Sequence, residues 1–76
     1  MSLDVPYAGL LIEVLRCGGT KYMRCQQSDL IYLHLAKCDH MCEYWRPDYD
    51  QPLSFEIKLT PRGKEFAKDL TFVYNL

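Results

Sequence analysis

The residues of this chain that are best suited to chemistry are four cysteines and two histidines. Thiolate and imidazole groups are the ligands that zinc prefers in structural sites. On a strand, Cys38, His40 and Cys42 would point the same way, and Cys25 would be a conceivable fourth ligand. The cysteines lack the paired C-x-x-C spacing of common zinc modules, and free cysteine usually behaves as a small buried hydrophobe. We therefore favour reduced, packed thiols over a zinc site or disulfides.

The nearest approach to a catalytic pair is the thiol of Cys38 with the imidazole of His34 or His40. No glycine-rich phosphate loop, paired-carboxylate signature or known nucleophile motif accompanies these residues in the sequence. Nearness in sequence does not define a catalytic geometry. We therefore expect neither enzymatic activity nor a cofactor.

Length and composition describe one small globular domain over residues 1–76. Of the 76 residues, 49% are hydrophobic and 25% are charged, and the net charge is −1. A chain this short lies near the lower limit for a self-sufficient core, so oligomerisation is an alternative to be weighed. The small net charge provides no overall attraction to nucleic acid or to an anionic membrane, so any basic surface must be local.

The apolar stretch over residues 7–15 is the best candidate for a membrane or secretion signal. Gly9 and Glu13 interrupt it, and it is far shorter than the roughly 20 residues that a membrane span needs. It also lacks the cationic start and the small-residue cleavage site of a secretory signal. We expect no membrane association and a cytoplasmic, reducing location, where disulfides are rare.

The stretch 55–70 predicts a strand that runs into a capped helix. Its first apolar residues, including Ile57 and Leu59, alternate with polar ones, which is the period of a strand with one buried face. Thr60 then offers a hydroxyl to the free N–H groups of a helix start, and Pro61 suits the first helical position. The rest of the chain is arranged around this element.

Caps and helical spacing define the remaining elements. Asp4 is the expected cap of a first helix, which is expected to end at a pair of glycines beginning with Gly18. The third helix is expected to bury Ile31, Leu35 and Cys38. The predicted elements are helices over 7–17, 20–27 and 28–38, a strand over 41–46, a loop over 47–52, a strand over 53–60 and a helix from 61. The fold predicted is therefore α+β, with three N-terminal helices, a two-stranded wing hairpin and a C-terminal helix.

With this order of elements, the chain resembles the winged helix-turn-helix domains of small bacterial, archaeal and phage proteins. The segment 59–66, Leu-Thr-Pro-Arg-Gly-Lys-Glu-Phe, looks like the "LTxxG" junction between wing and helix in many such regulators. The segment 30–44 is similar to their recognition helix and first wing strand, and the likeness extends over 7–70. It implies a transcriptional regulator that binds duplex DNA with the helix 28–38 in the major groove and the loop 46–53 as wing. The side chains expected to contact DNA are Lys21, Arg24, Tyr32, Lys37 and Arg46.

The charges of the region 29–50 depart from this pattern. It carries five acidic residues against two basic ones, Lys37 and Arg46. Affinity for duplex DNA that does not depend on sequence comes from lysine and arginine neutralising phosphates, so this region would be repelled. The other cations lie around the first turn and in the stretch 55–70, where they form either a second basic face or an ordinary solvated surface.

The alternative function is a protein interaction module, such as a phage- or plasmid-type inhibitor or adaptor, that does not bind DNA. It is motivated by the aromatic and acidic segment 44–50, because tyrosine, tryptophan and arginine dominate interface energetics. The side chains expected to contact a protein partner are Tyr44, Trp45, Arg46 and Tyr49.

The apolar C-terminal segment predicts a homodimer. By resemblance to winged-helix proteins, whose terminal helix often forms the dimer contact, the region 66–76 would pair two copies. The residues expected at this contact are Phe66, Leu70, Phe72 and Tyr74. The alternative is that this segment packs against the first helix of its own chain.

Overall fold

A three-stranded antiparallel sheet and three helices make up the part of the chain, residues 5–74, that the computed structural model describes. The strands lie in the order β1-β3-β2. In chain order the elements are α1 (Ala8–Arg16), β1 (Thr20–Arg24), α2 (Gln27–Cys38), β2 (Cys42–Trp45), β3 (Ser54–Leu59) and α3 (Pro61–Tyr74). The predicted α+β class is confirmed. The predicted layout of three N-terminal helices and a two-stranded hairpin is not what the structure has.

The short helix predicted over residues 20–27 is wrong, because this segment forms β1. Gly18 and Gly19 both have positive φ, 89° and 95°, which turns the chain back along the sheet. The N–H of Leu59 donates to the Gly19 carbonyl at 2.9 Å, and β1 then pairs with β3 from Thr20 to Arg24. A segment with so few apolar residues has no helical stripe to bury, whereas its aromatic and β-branched residues suit a pleated surface.

Helix α2 forms where it was predicted but buries a different side. Leu33 and Ala36 are fully buried, whereas Ile31, Leu35 and Cys38, which were expected inside, are exposed. Apolar residues occur on nearly every side of this helix, so periodicity alone does not select the side that packs on the sheet.

The ends of the first two helices are only partly as predicted. Helix α2 begins at Gln27, one residue before the expected cap at Ser28, and the Asp29 carboxylate accepts the Gln26 N–H at 2.9 Å. Helix α1 ends before the glycine pair, as predicted. The expected cap of α1, Asp4, lies outside the described residues.

The junction between β3 and α3 is confirmed in detail. The Thr60 hydroxyl accepts the N–H of Gly63 at 3.0 Å, and the Thr60 N–H donates to the Met41 carbonyl at 3.0 Å. A Cβ added to Gly63 would lie 1.8 Å from the Met41 carbonyl oxygen. Only glycine therefore allows the first turn of α3 to lie against the turn between α2 and β2.

The core lies on one side of the sheet. Ile57 and Leu59 of β3 pack with residues of the helices such as Leu11 and Leu33, and a smaller cluster joins α1 to α3. Each such side chain contributes roughly 1.5–3 kcal/mol when it is fully buried. Since the helices cover this side, the outward-pointing residues of the three strands form a separate, largely exposed surface.

Candidate interaction surface on the open face of the sheet

The central row of the exposed sheet surface places a glutamate between two aromatic residues. Glu56 on β3 is paired directly with Tyr22 on β1 and with Trp45 on β2. Residues paired directly across strands point to the same side and have Cβ atoms about 5 Å apart, so the two aromatic residues start about 10 Å apart. Tyr22 is 49% exposed and Trp45 is 46% exposed. Both aromatic residues are therefore accessible on either side of Glu56.

The neighbouring rows complete a surface that we call the open face. Lys58 pairs with Thr20 and Glu43 in one row, and Arg24 pairs with the buried Ser54 in the other. Both acids and bases occur, so the surface as a whole has no strong charge. Its members are Thr20, Tyr22, Arg24, Glu43, Trp45, Ser54, Glu56 and Lys58.

The central row combines groups that attract cations. A lysine or arginine side chain over Glu56 would meet a carboxylate and two aromatic rings, which attract cations through their π faces. Among the described residues Glu56 forms no ion pair, since the salt bridge found there joins Lys21 to Glu13. Within this part of the chain its carboxylate therefore has no salt-bridge partner, and the cations nearest to it in the register are Arg24 and Lys58 of the neighbouring rows.

The loop over residues 46–53 continues directly from Trp45 and adds another aromatic side chain. The carboxylate of Asp48 accepts the N–H of Asp50 at 3.0 Å, which shapes the turn. The Arg46 guanidinium lies 5.7 Å from the ring centre of Tyr49, and Tyr49 is 88% exposed. Of the predicted partner residues, Trp45, Arg46 and Tyr49 thus belong to the open face or to the loop beside it.

Tyr44, the fourth predicted partner residue, points to the opposite side of the sheet. Its ring meets the ring of Phe55 edge-on, with ring centres 5.6 Å apart, and the Lys37 ammonium lies 5.4 Å from its centre. Neighbouring residues of a strand alternate between faces, so Tyr44 and Trp45 serve different surfaces. Tyr44 belongs to the packed side.

The five side chains predicted to contact DNA are dispersed. Lys21 points to the packed side and pairs with Glu13 of α1 at 3.0 Å, whereas Arg24, three residues later, points to the open face. Lys37 and Arg46 both lie over tyrosine rings. The fifth, Tyr32, is 39% exposed on α2. Lys21 and Arg24 in particular do not share one surface for phosphates.

The strand that would have aligned three zinc ligands does not form. Cys38 ends α2, His40 sits in the following turn with φ 61°, and Cys42 begins β2. Within residues 5–74, no group of three or more cysteine, histidine or acidic side chains is placed to hold a metal ion. Burial raises the pKa of Cys42 to about 11 and also raises the pKa of the buried Cys25 thiol. These two thiols are protonated at neutral pH.

The thiol and imidazole that do meet belong to Cys38 and His34. They lie one turn apart on the exposed side of α2, with the sulfur 3.6 Å from Nε2. His40, the other predicted partner of this thiol, lies beyond the end of the helix.

The residues predicted at a dimer contact divide between the core and the surface. Leu70 is 2% exposed and packs with Ala8 and Ile12 of its own chain, and the Phe66 ring lies 6.5 Å from the Tyr7 ring. Phe72 is 87% exposed. The Tyr74 side chain and residues 75 and 76 are outside the described part of the chain. A homodimer through this region stays a prediction.

Two members of the central row, Tyr22 and Glu56, were missed from the sequence. Tyr22 was assigned to a helix, and Glu56 was only one polar residue in an alternating strand. The signal for β1 was the glycine pair followed by Thr-Lys-Tyr-Met-Arg, a short segment with strand-forming residues. The pairing of Glu56 with both aromatic residues depends on the sheet register, which no local pattern specifies.

Comparisons with protein families, with curated proteins and with solved structures find no match to this chain. No helix within the described residues is long and apolar enough to cross a membrane.

Proposed function

We propose that this protein is a protein interaction module whose open face binds a basic segment of a partner protein. A lysine or arginine side chain of the partner sits over Glu56, between the rings of Tyr22 and Trp45. The observation that carries this proposal is the pairing of Glu56 with both aromatic residues across the three strands. The exposed ring of Tyr49 extends the aromatic contact along the loop, and the Arg46 guanidinium lies over this ring.

The energy of this contact comes from two sources. A hydrogen bond to a charged group contributes about 1.5–3 kcal/mol, and a cation over an exposed aromatic ring about 0.5–1 kcal/mol. Loss of the Glu56 carboxylate should therefore weaken binding at least about tenfold, because 1.4 kcal/mol corresponds to a factor of ten. Loss of one ring should weaken it by a smaller factor.

The charge distribution supports a protein partner over duplex DNA. The region 29–50 has five acidic residues and two basic ones, and both bases, Lys37 and Arg46, are engaged with tyrosine rings. The side of α2 that a recognition helix would turn to the groove carries Ile31 and Leu35. A winged-helix regulator that binds DNA stays a prediction, and duplex DNA is therefore one of the probes in the test of this proposal.

The proposal is tested by the fluorescence of Trp45, the one tryptophan of the chain. The probes are a nona-arginine peptide, a nona-glutamate peptide and a short random duplex DNA. We expect saturable quenching or enhancement with the arginine peptide alone. Saturation with duplex DNA, or no response to the arginine peptide, would contradict the proposal.

Two charge-neutralising variants separate a specific contact from general attraction. Glu56→Gln removes the carboxylate of the central row, and Glu65→Gln removes an exposed carboxylate of α3. We expect Glu56→Gln to weaken peptide binding at least about tenfold, while Glu65→Gln leaves it within about twofold. Equal effects of both variants would show that only net charge matters and would overturn the proposed site.

A further inference from the structure

The exposed side of α2 carries a thiol and an imidazole in contact. His34 and Cys38 are four residues apart on the helix, both are exposed, and the Cys38 sulfur lies 3.6 Å from Nε2 of His34. Residues at this spacing lie one above the other on the same helix face. Neither side chain takes part in the core or in the open face.

The separation of these two atoms is that of two ligands on one zinc ion. Zinc binds cysteine sulfur at about 2.3 Å and histidine nitrogen at about 2.05 Å, and it prefers tetrahedral angles. These values place the nitrogen and the sulfur about 3.6 Å apart around a shared ion. The observed distance of 3.6 Å, which is also that of a hydrogen bond between the thiol and the imidazole, therefore matches the separation of two zinc ligands without a shift of the helix backbone.

A structural zinc site needs four protein ligands, and the described part of the chain supplies no third ligand beside this pair. A second copy of the chain would supply the missing two. In a twofold dimer the same patch of each copy faces the other, so His34 and Cys38 would meet their own counterparts. The result is a set of two cysteines and two histidines.

The surroundings of the pair suit contact between two copies. Ile31 is 61% exposed and Leu35 is 40% exposed, and both lie on the same side of α2 as the pair. Lys37 is the one charged residue among the exposed residues of α2, and its ammonium lies over the Tyr44 ring. Apart from Asp39, which directly follows Cys38 and is also exposed, little charge of like sign therefore opposes the approach of two copies.

We propose that His34 and Cys38 form half of a zinc site, which a second copy of this chain completes through the exposed side of α2. On binding, the two thiols each lose a proton to solvent and the two imidazoles bind as neutral groups, so one Zn²⁺ displaces two protons. Ile31 and Leu35 of the two copies pack around the ion. This site differs from the dimer contact predicted on α3 and leaves the open face free.

The experiment measures mass and metal content together, with a phosphine reductant present to exclude disulfides. Light scattering follows the purified protein as ZnCl₂ is added, and Co²⁺ absorption reports tetrahedral coordination by sulfur. We expect the mass to double as zinc is added, with one metal ion bound per two chains and reversal by EDTA. One metal ion per chain without association, or no binding, would overturn the proposal.

Variants assign the ligands. His34→Ala and Cys38→Ser should each abolish zinc-dependent association, whereas the matched changes His40→Ala and Cys17→Ser, at other exposed residues, should leave it intact. Leu35→Glu retains both ligands but places a charge at the contact, so it should weaken zinc binding by about tenfold or more. Association that persists in Cys38→Ser, or that is lost in Cys17→Ser, contradicts the assignment.

Discussion

The change Gly63→Ala tests the packing of the β3–α3 junction most severely. An added Cβ would lie 1.8 Å from the Met41 carbonyl oxygen, whereas close contacts between carbon and oxygen are about 3.3 Å or longer. The first turn of α3 and the turn before β2 must therefore separate by about 1.5 Å. This separation strains or breaks two hydrogen bonds, from Gly63 to Thr60 and from Thr60 to Met41.

The expected cost is about 2–4 kcal/mol of the free energy of unfolding, from steric strain and weakened hydrogen bonds. It outweighs the gain of about 1 kcal/mol that alanine brings to a helix. The whole free energy of unfolding of a 76-residue domain is about 4–11 kcal/mol, so this loss is a large part of it. Urea unfolding followed by circular dichroism should therefore show a much lower midpoint, while the dependence of the unfolding free energy on urea concentration is unchanged.

Gly9→Ala is the matched control for this substitution. Gly9 lies in α1, and an added Cβ there would meet no atom within 4 Å. The same change should therefore stabilise the protein by about 0.5–1 kcal/mol through helix propensity alone. If Gly63→Ala were as stable as the parent protein, or gained as much as Gly9→Ala, the described junction would be refuted.

Three further properties follow from the structure. His40 has φ 61°, so His40→Gly should raise the free energy of unfolding by about 0.5–1 kcal/mol, and a lower urea midpoint would argue against this turn. The pKa of Tyr7 is raised from 10.0 to about 12 by burial and by the hydrogen bond that its hydroxyl donates to Asp39. The neutral Tyr7 side chain therefore stabilises the fold fully below pH 10, and this stabilisation is lost by about pH 12. Between pH 10 and about pH 12 the free energy of unfolding should decline less steeply in Tyr7→Phe than in the parent protein. The same decline in both proteins would count against a buried Tyr7 hydroxyl. A thiol reagent should modify the exposed Cys17 and Cys38 quickly in the folded protein. It should modify the buried Cys25 and Cys42 only after unfolding, and equal rates at all four cysteines would contradict this burial.

The elements with strong local signals were predicted correctly from the sequence. The strand and helix on either side of Thr60 formed as expected, because alternation, a cap and a proline all indicated the same structure. The first helix and its glycine end were likewise confirmed. In these cases the information lies within about ten neighbouring residues, where propensity and capping act.

The errors occurred where distant contacts decide the structure. Strand β1 exists because β3 pairs with it, and a five-residue segment alone contains too little periodicity to show this. The buried side of α2 depends on which residues meet the sheet, and apolar residues such as Ile31 and Leu33 occur on both sides. Trp45 was predicted as part of an interaction surface, but its relation to Tyr22 and Glu56 required the register of three strands.

The central claim is that the open face binds a cationic side chain over Glu56. The most direct test is to map backbone amide and Trp45 indole chemical shifts by NMR while the nona-arginine peptide is added to the ¹⁵N-labelled protein. We predict saturable shifts concentrated at Tyr22, Glu56 and Trp45, with small changes along α2 and α3. Shifts concentrated on α2, or spread evenly over the acidic residues of the chain, would contradict the claim.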